Sequence, residues 1–210
     1  ATFQTLTKMW EWAEDMLDKG TYGKYDPKTI SNDVRIAGNT YSVGDVLWRD
    51  DVAECRHAKD STGKVFLLRV AISPDDNELI EREERILKEI NASQFYKDYG
   101  MNVVIPTPVG LVRIGATNMA ILLDYGTEED GSPNDITNIR PLRQVVEYHN
   151  RNTPLRGIGW VWNRLWAVIT CMHDIGFIHA GLTPDNILVD AATHSILLSN
   201  FGHASKMQEQ

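Results

Sequence analysis

The chain is short of cysteine, of positive charge and of long apolar runs, and each shortage removes a class of function. Its two cysteines, Cys55 and Cys171, stand far apart in 210 residues. They supply neither a disulfide framework nor metal-ligand spacing and read as reduced thiols packed as small apolar groups. Lys and Arg number 21 against 29 Asp and Glu, a formal net charge of −8. Nucleic acid and anionic membranes demand basic surfaces, so neither is expected as a main partner. No apolar run approaches the roughly 20 residues needed to cross a bilayer, and no stretch has the layout of a secretory signal. The expected setting is therefore the cytoplasm, or a host cell's cytoplasm. Repeats and low-complexity tracts are absent. His57, His149, His173, His194 and His203 show no metal-ligand spacing, so no metal and no cofactor are expected.

What is present is an ordinary globular composition, 42% hydrophobic and 24% charged, long enough for one large domain or two small lobes. Residues 1–20 read as an amphipathic helix. Phe3, Leu6, Trp10, Ala13 and Leu17 recur by threes and fours, and Gly20 is a natural stop. Residues 21–40, rich in Gly, Lys, Asp, Asn and Thr, read as a linker. Short strands are expected around Val43–Val46 and Val52–Cys55. A buried strand follows over Val65–Ile72, with Arg69 as its one charge. Ser73-Pro74-Asp75-Asp76 combines an N-cap serine, an early proline and first-turn acids, and so starts a helix that runs to about Asn91. Glu83 falls on its apolar stripe of Ile80, Leu87 and Ile90. Strands at Val109–Ile114 and Met119–Leu123 follow, then a polar loop from Thr127 to Asn138 and a short helix from Pro141 to about Asn150. Gly159–His173 reads as a helix apolar nearly all round, hence buried or covered by a partner. Two short strands, Ile187–Val189 and Ile196–Leu198, come last, with a frayed end after Ser205. Strands first and helices later make an α+β, two-lobed pattern.

The stretch from Met172 to Gly202 is more specific. His179-Ala180-Gly181-Leu182-Thr183-Pro184-Asp185-Asn186 leads into the apolar strand Ile187–Val189. Asn200-Phe201-Gly202 follows at close range. This run resembles the catalytic loop and metal-binding motif of the protein kinase superfamily, His-Arg-Asp-Leu-x-x-x-x-Asn and Asp-Phe-Gly. The resemblance extends upstream in order and covers residues 41 to about 204. Tyr41–Ala58 is similar to the hairpin carrying the phosphate-covering loop, Arg69 to the strand lysine, and Glu83 to the glutamate of the next helix. Leu123-Asp124-Tyr125 is similar to the hinge. The resemblance implies a bilobal kinase-like fold: a β-rich N-lobe with one helix over residues 41–126, and a truncated helical C-lobe over 127–210.

The same resemblance implies that the chemistry has been lost. Kinase catalysis is positioning plus electrostatics around a metal-bound triphosphate. The three glycine places of the phosphate-covering loop hold Trp48, Asp50 and Ala53, with Asp45, Asp51 and Glu54 nearby. Like charges about 4 Å apart repel by roughly 4 kcal/mol at an effective dielectric of 20, so a phosphate would be repelled. Gly181 stands for the catalytic base, Thr183 for the loop lysine and Asn200 for the metal-binding aspartate; only Asn186 remains as a metal ligand type. Arg69 and Glu83 are charges on apolar faces, each needing a partner if buried. The resemblance pairs them in a salt bridge; the alternatives are an Arg69 that contacts phosphate and one that is solvated. His179 is expected to bond backbone near the metal motif.

The expected function is thus that of a catalytically inactive pseudokinase acting as a scaffold, decoy or regulator. Its partners would be proteins, a kinase or a second copy, with ATP binding not expected. The alternatives are an unorthodox nucleotide-binding or nucleotidyl-transferring enzyme of the same fold, or half of a split kinase. Phe3, Leu6, Trp10 and Leu17, together with Trp162 and Trp166, form the candidate partner or dimer surface.

Overall fold

The computed structural model describes residues 33–98, 100–126, 136, 139–148, 155–190 and 195–207. The helix expected over residues 1–20, with Phe3, Leu6, Trp10 and Leu17, lies outside the described residues. So do residues 21–32, most of the polar loop, His149 and His194.

A six-stranded antiparallel sheet forms the N-terminal part, in the order β1-β2-β3-β4-β6-β5. The strands are β1 (Asp33–Ile36), β2 (Asn39–Arg49), β3 (Ala53–Lys59), β4 (Val65–Ala71), β5 (Thr107–Ile114) and β6 (Asn118–Asp124). The linker read over 21–40 is corrected by β1, which pairs with β2 from Asp33↔Ser42 to Ile36↔Asn39. Ala37 and Gly38, both at positive φ, close this two-residue hairpin, the geometry whose twist suits antiparallel neighbours. Val34 and Ile36 pack with Tyr41 and Phe66 on the sheet's outer face. Four residues of which two are charged are too few to show that alternation against a polar background.

Strands β3, β4 and β6 alternate cleanly, whereas β2 and β5 carry register shifts. On β4, Phe66, Leu68 and Val70 face the outer cluster, while Leu67 and Ala71 face the main core. Arg69 shares the parity of Leu67 and Ala71, which places its charge on the core side. Helix α1 (Asn77–Ala92) covers that side through Ile80, Leu87 and Ile90. Ser73 caps the preceding turn in a capping box with Asp76. The turn α2 (Gln94–Asp98) follows.

The C-terminal part contains β7 (Ile139–Pro141), α3 (Leu142–Tyr148), α4 (Leu155–Asp174), β8 (Phe177–Ile178), β9 (Ile187–Asp190), β10 (Ser195–Leu198) and β11 (Ser205–Lys206). Strands β10, β9 and β7 form one small sheet, and β11 pairs with β8. Two expectations change here. The helix read from Pro141 begins after a short strand, and of the end read as frayed, residues 205–207 are held by β11 pairing and by Met207 N donating to Gly176 O at 2.8 Å. Helix α4 is only partly buried. Val168 and Met172 enter the core, whereas Trp162 and Trp166 are 63% and 62% exposed, their rings stacked at 6.3 Å. Among the described residues no helix is long and apolar enough to cross a membrane.

Candidate functional site

The site is assembled where the β2–β3 hairpin, β4, α1 and the segment after β10 meet. Arg69 is fully buried on β4. Its Nη1 donates to Glu83 Oε2 on α1, and its Nη2 donates to Asp50 Oδ2 at 2.8 Å. Glu83 is buried too, and its Oε1 accepts from the backbone N–H of Phe201 at 3.0 Å. One carboxylate thus joins the sheet, the helix and the Asn200-Phe201-Gly202 segment. Burial penalises the guanidinium, yet the Asp50 and Glu83 carboxylates outweigh it and hold Arg69 well above its ordinary range. Burial pushes Glu83 up, and Arg69 and the Phe201 N–H pull it back. The thiol of Cys55, fully buried beside Asp50, is pushed well up by burial.

The hairpin tip is tight rather than flap-like. Asp50 Oδ1 accepts from Val52 N at 2.9 Å and from Ala53 N at 2.8 Å, closing an Asx-type turn. Val52 is buried, and its carbonyl accepts from Ile72 N at 3.0 Å. Trp48 is buried in the main core on β2. Of the acids expected to crowd the tip, Asp45 is exposed on β2, and Glu54 is buried between Arg49 and Arg56. Asp50, counted among the acids expected to face a phosphate, has its side chain turned inward, onto Arg69. Neighbouring Asp51 takes the opposite direction, and its Oδ1 accepts from Asn200 Nδ2 at 2.9 Å.

The loop after β8 is built on backbone bonds. His179 Nε2 lies 2.9 Å from Ser199 O, and Gly181 N donates to Nδ1 at 3.3 Å. An Nδ1 that accepts makes the ring the neutral Nε2–H tautomer, donating to Ser199. Burial lowers its pKa to about 4, against the opposing backbone bond to Ser199. Asn186 Nδ2 donates to Gly181 O at 2.9 Å. Thr183 serves through its backbone: its N–H donates to Gly181 O, and its carbonyl accepts from Asn186 N. Asp185, the loop's own carboxylate, is held by Arg143 Nε at 2.7 and 2.9 Å. Gly181 has room: a Cβ there would meet nothing closer than His203 Cδ2 at 3.5 Å. Gly202 has none, because a Cβ would stand 2.8 Å from Leu79 O of α1. Asn200 adopts the left-handed conformation, φ 61 and ψ 64, which Asn and Asp tolerate better than most residues. Tyr125, just after β6, donates from its hydroxyl to Leu198 O at 3.0 Å and so ties this segment to β10.

The structure therefore brings together Asp50, Arg69, Glu83 and Asn200, with Gly181 and Asn186 on the adjoining loop. It places Trp48 in the core and Ala53 at the turn. Trp162 and Trp166 lie apart on α4. What sequence reasoning missed is Asp51 as a cross-link and Arg143 as the partner of Asp185. Neither has a local signal, since the partners are 149 and 42 residues away.

No protein-family model and no curated protein matches the chain. Solved structures do. Vaccinia related kinase 3 superposes with a TM-score of 0.64 at 18% identity, over 91% of this chain and 56% of that one. The BubR1 kinase domain gives 0.60 at 14% identity, over 98% of this chain and 61% of that one. The chain thus spans less than two thirds of either structure. It carries a protein kinase-like fold.

Proposed function

We propose that this chain is a non-catalytic kinase-like module that works by binding other proteins, as a scaffold, decoy or regulator. The observation that carries the reading is the loop between β8 and β9. Where a kinase positions a general base stands Gly181, and the loop's remaining carboxylate, Asp185, is committed to Arg143. A positioned base contributes about 10² to 10⁴ in rate, and glycine supplies none of it. The neutral Asn200 and a hairpin whose glycine places hold Trp48, Asp50 and Ala53 support the same reading. The stacked, exposed Trp162 and Trp166 support a protein partner, because large aromatic pairs in water are unfavourable and are enriched at interfaces.

A second reading, a nucleotide-dependent enzyme of unusual mechanism, has one observation in its favour. Asn186 Oδ1 and Asn200 Oδ1 are buried without a hydrogen-bond partner among the described residues, and amide oxygens of that kind suit a hard cation. A transfer assay separates the two. With labelled ATP and Mg²⁺ or Mn²⁺, the first reading expects no label on the chain or on generic protein acceptors, and no nucleotidyl adduct. Metal-dependent labelling that disappears on Asn186→Ala would overturn it in favour of the second.

A further inference from the structure

The two acids at the hairpin tip each reach a different part of the fold. Asp50 uses one carboxylate oxygen to build its own turn, on Val52 N and Ala53 N, and presents the other to Arg69 at 2.8 Å. Asp51 reaches the segment after β10, where Oδ1 accepts from Asn200 Nδ2 at 2.9 Å and Oδ2 lies 3.7 Å from His203 Nε2. Adjacent carboxylates thus engage a cation in the N-terminal sheet and an amide in the C-terminal part. The tip contains no glycine, and Val52 anchors it through its buried side chain and its bond to Ile72. Tip, sheet, α1 and Asn200-Phe201-Gly202 are joined by a continuous run of charge-assisted bonds through Asp50, Arg69, Glu83 and Phe201. Such bonds are the strong ones inside a protein.

Resting on the non-catalytic reading, we propose that Asp50 and Asp51 are a built-in substitute for a polyphosphate ligand. They occupy the donors that an anion would need, and they hold the two parts of the fold closed with no ligand bound. The surface offered to a protein partner is then constitutive rather than gated by nucleotide. Asp50 must leave Arg69 before a polyphosphate can enter, and Asp51 must leave Asn200.

The test uses the full chain, with Asp50→Asn and Asp51→Ala made singly and together. The Asp50→Asn change keeps an oxygen for the turn amides and loses the charge. The Asp51→Ala change removes a side chain that is 58% exposed. The probes are inorganic tripolyphosphate and metal-free ATP at about 1 mM, read by thermal shift and calorimetry. The wild type should bind neither. The double variant should bind tripolyphosphate at least about tenfold more tightly than the wild type. Amide exchange at residues 48–53 and 200–203 should be slow in the wild type, faster in the double variant, and slowed again by tripolyphosphate. A folded double variant with no gain in binding and unchanged exchange would overturn the proposal. Should the double variant not fold, Asp51→Ala alone decides: exchange at 200–203 must rise about tenfold, equivalent to roughly 1.4 kcal/mol, and an unchanged rate overturns the proposal. The non-catalytic reading fails by a different result, phosphate transfer by the wild type.

Discussion

Replacing Arg69 by Met is the most informative single perturbation of the buried network. The change keeps a flexible apolar stem and deletes the guanidinium that both Asp50 and Glu83 contact. Breaking a buried ion pair by removing one partner costs about 3–5 kcal/mol, because the remaining charge is left uncompensated. Here two carboxylates are left, each with other donors: Asp50 retains two backbone amides and Glu83 retains Phe201 N. The cost should therefore fall within that range rather than double it. Against a total stability of about 5–15 kcal/mol, that is a large fraction of what holds the fold together. Glu83→Gln keeps the shape and an acceptor oxygen and should cost less, about 1.5–3 kcal/mol, the worth of a hydrogen bond to a charged group. The double variant should be more stable than the summed losses predict, by about 1–3 kcal/mol. Urea unfolding with an unchanged slope reads these values. Additivity within about 0.5 kcal/mol would refute the coupling on which the site's architecture rests.

Three further outcomes follow from the geometry. Gly181→Asp fits sterically and Asn200→Asp suits its left-handed backbone, yet neither alone should restore transfer of labelled phosphate; robust labelling by either would mean that the site has lost less than argued. Gly202→Ala should destabilise by about 1–3 kcal/mol, as overpacking against backbone does, while Gly181→Ala should be tolerated; equal melting temperatures for the two would contradict the close approach to Leu79. His179 has a folded pKa of about 4, against an ordinary value of 6.5. Between those values the unfolded chain binds more protons, so stability should fall as pH drops through that window, by about 3 kcal/mol from this group. A His179→Gln variant should show a flatter acid limb, and an unchanged limb would remove His179 from the account.

Much of this was legible in the sequence because the signals are local. The alternation through β4 places Arg69 on the core face. The stripe of Ile80, Leu87 and Ile90 places Glu83 opposite it, and the run from His179 to Gly202 fixes the loop. What was not legible depends on long-range partners. Asp50 looks like a surface acid at a turn until Arg69, 19 residues on, is seen to need a second carboxylate. Asp51 and Asp185 have no sequence neighbour that reveals Asn200 or Arg143. β1 was hidden because two apolar residues between charges do not make a pattern until β2 supplies the pairing. Trp162 and Trp166 carried the opposite problem: an apolar helix predicts cover, but the sequence does not say by what.

The central claim is tested most directly by equilibrium binding of Mg²⁺-ATP to the wild-type chain, read as a thermal shift and checked by calorimetry. A ligand with Kd near 10 µM, present at about 1 mM, would stabilise the fold by roughly 2.7 kcal/mol, worth several degrees in melting temperature. With Asp50 on Arg69 and Asp51 on Asn200, the predicted result is no shift. A shift of several degrees that requires the metal would contradict the account.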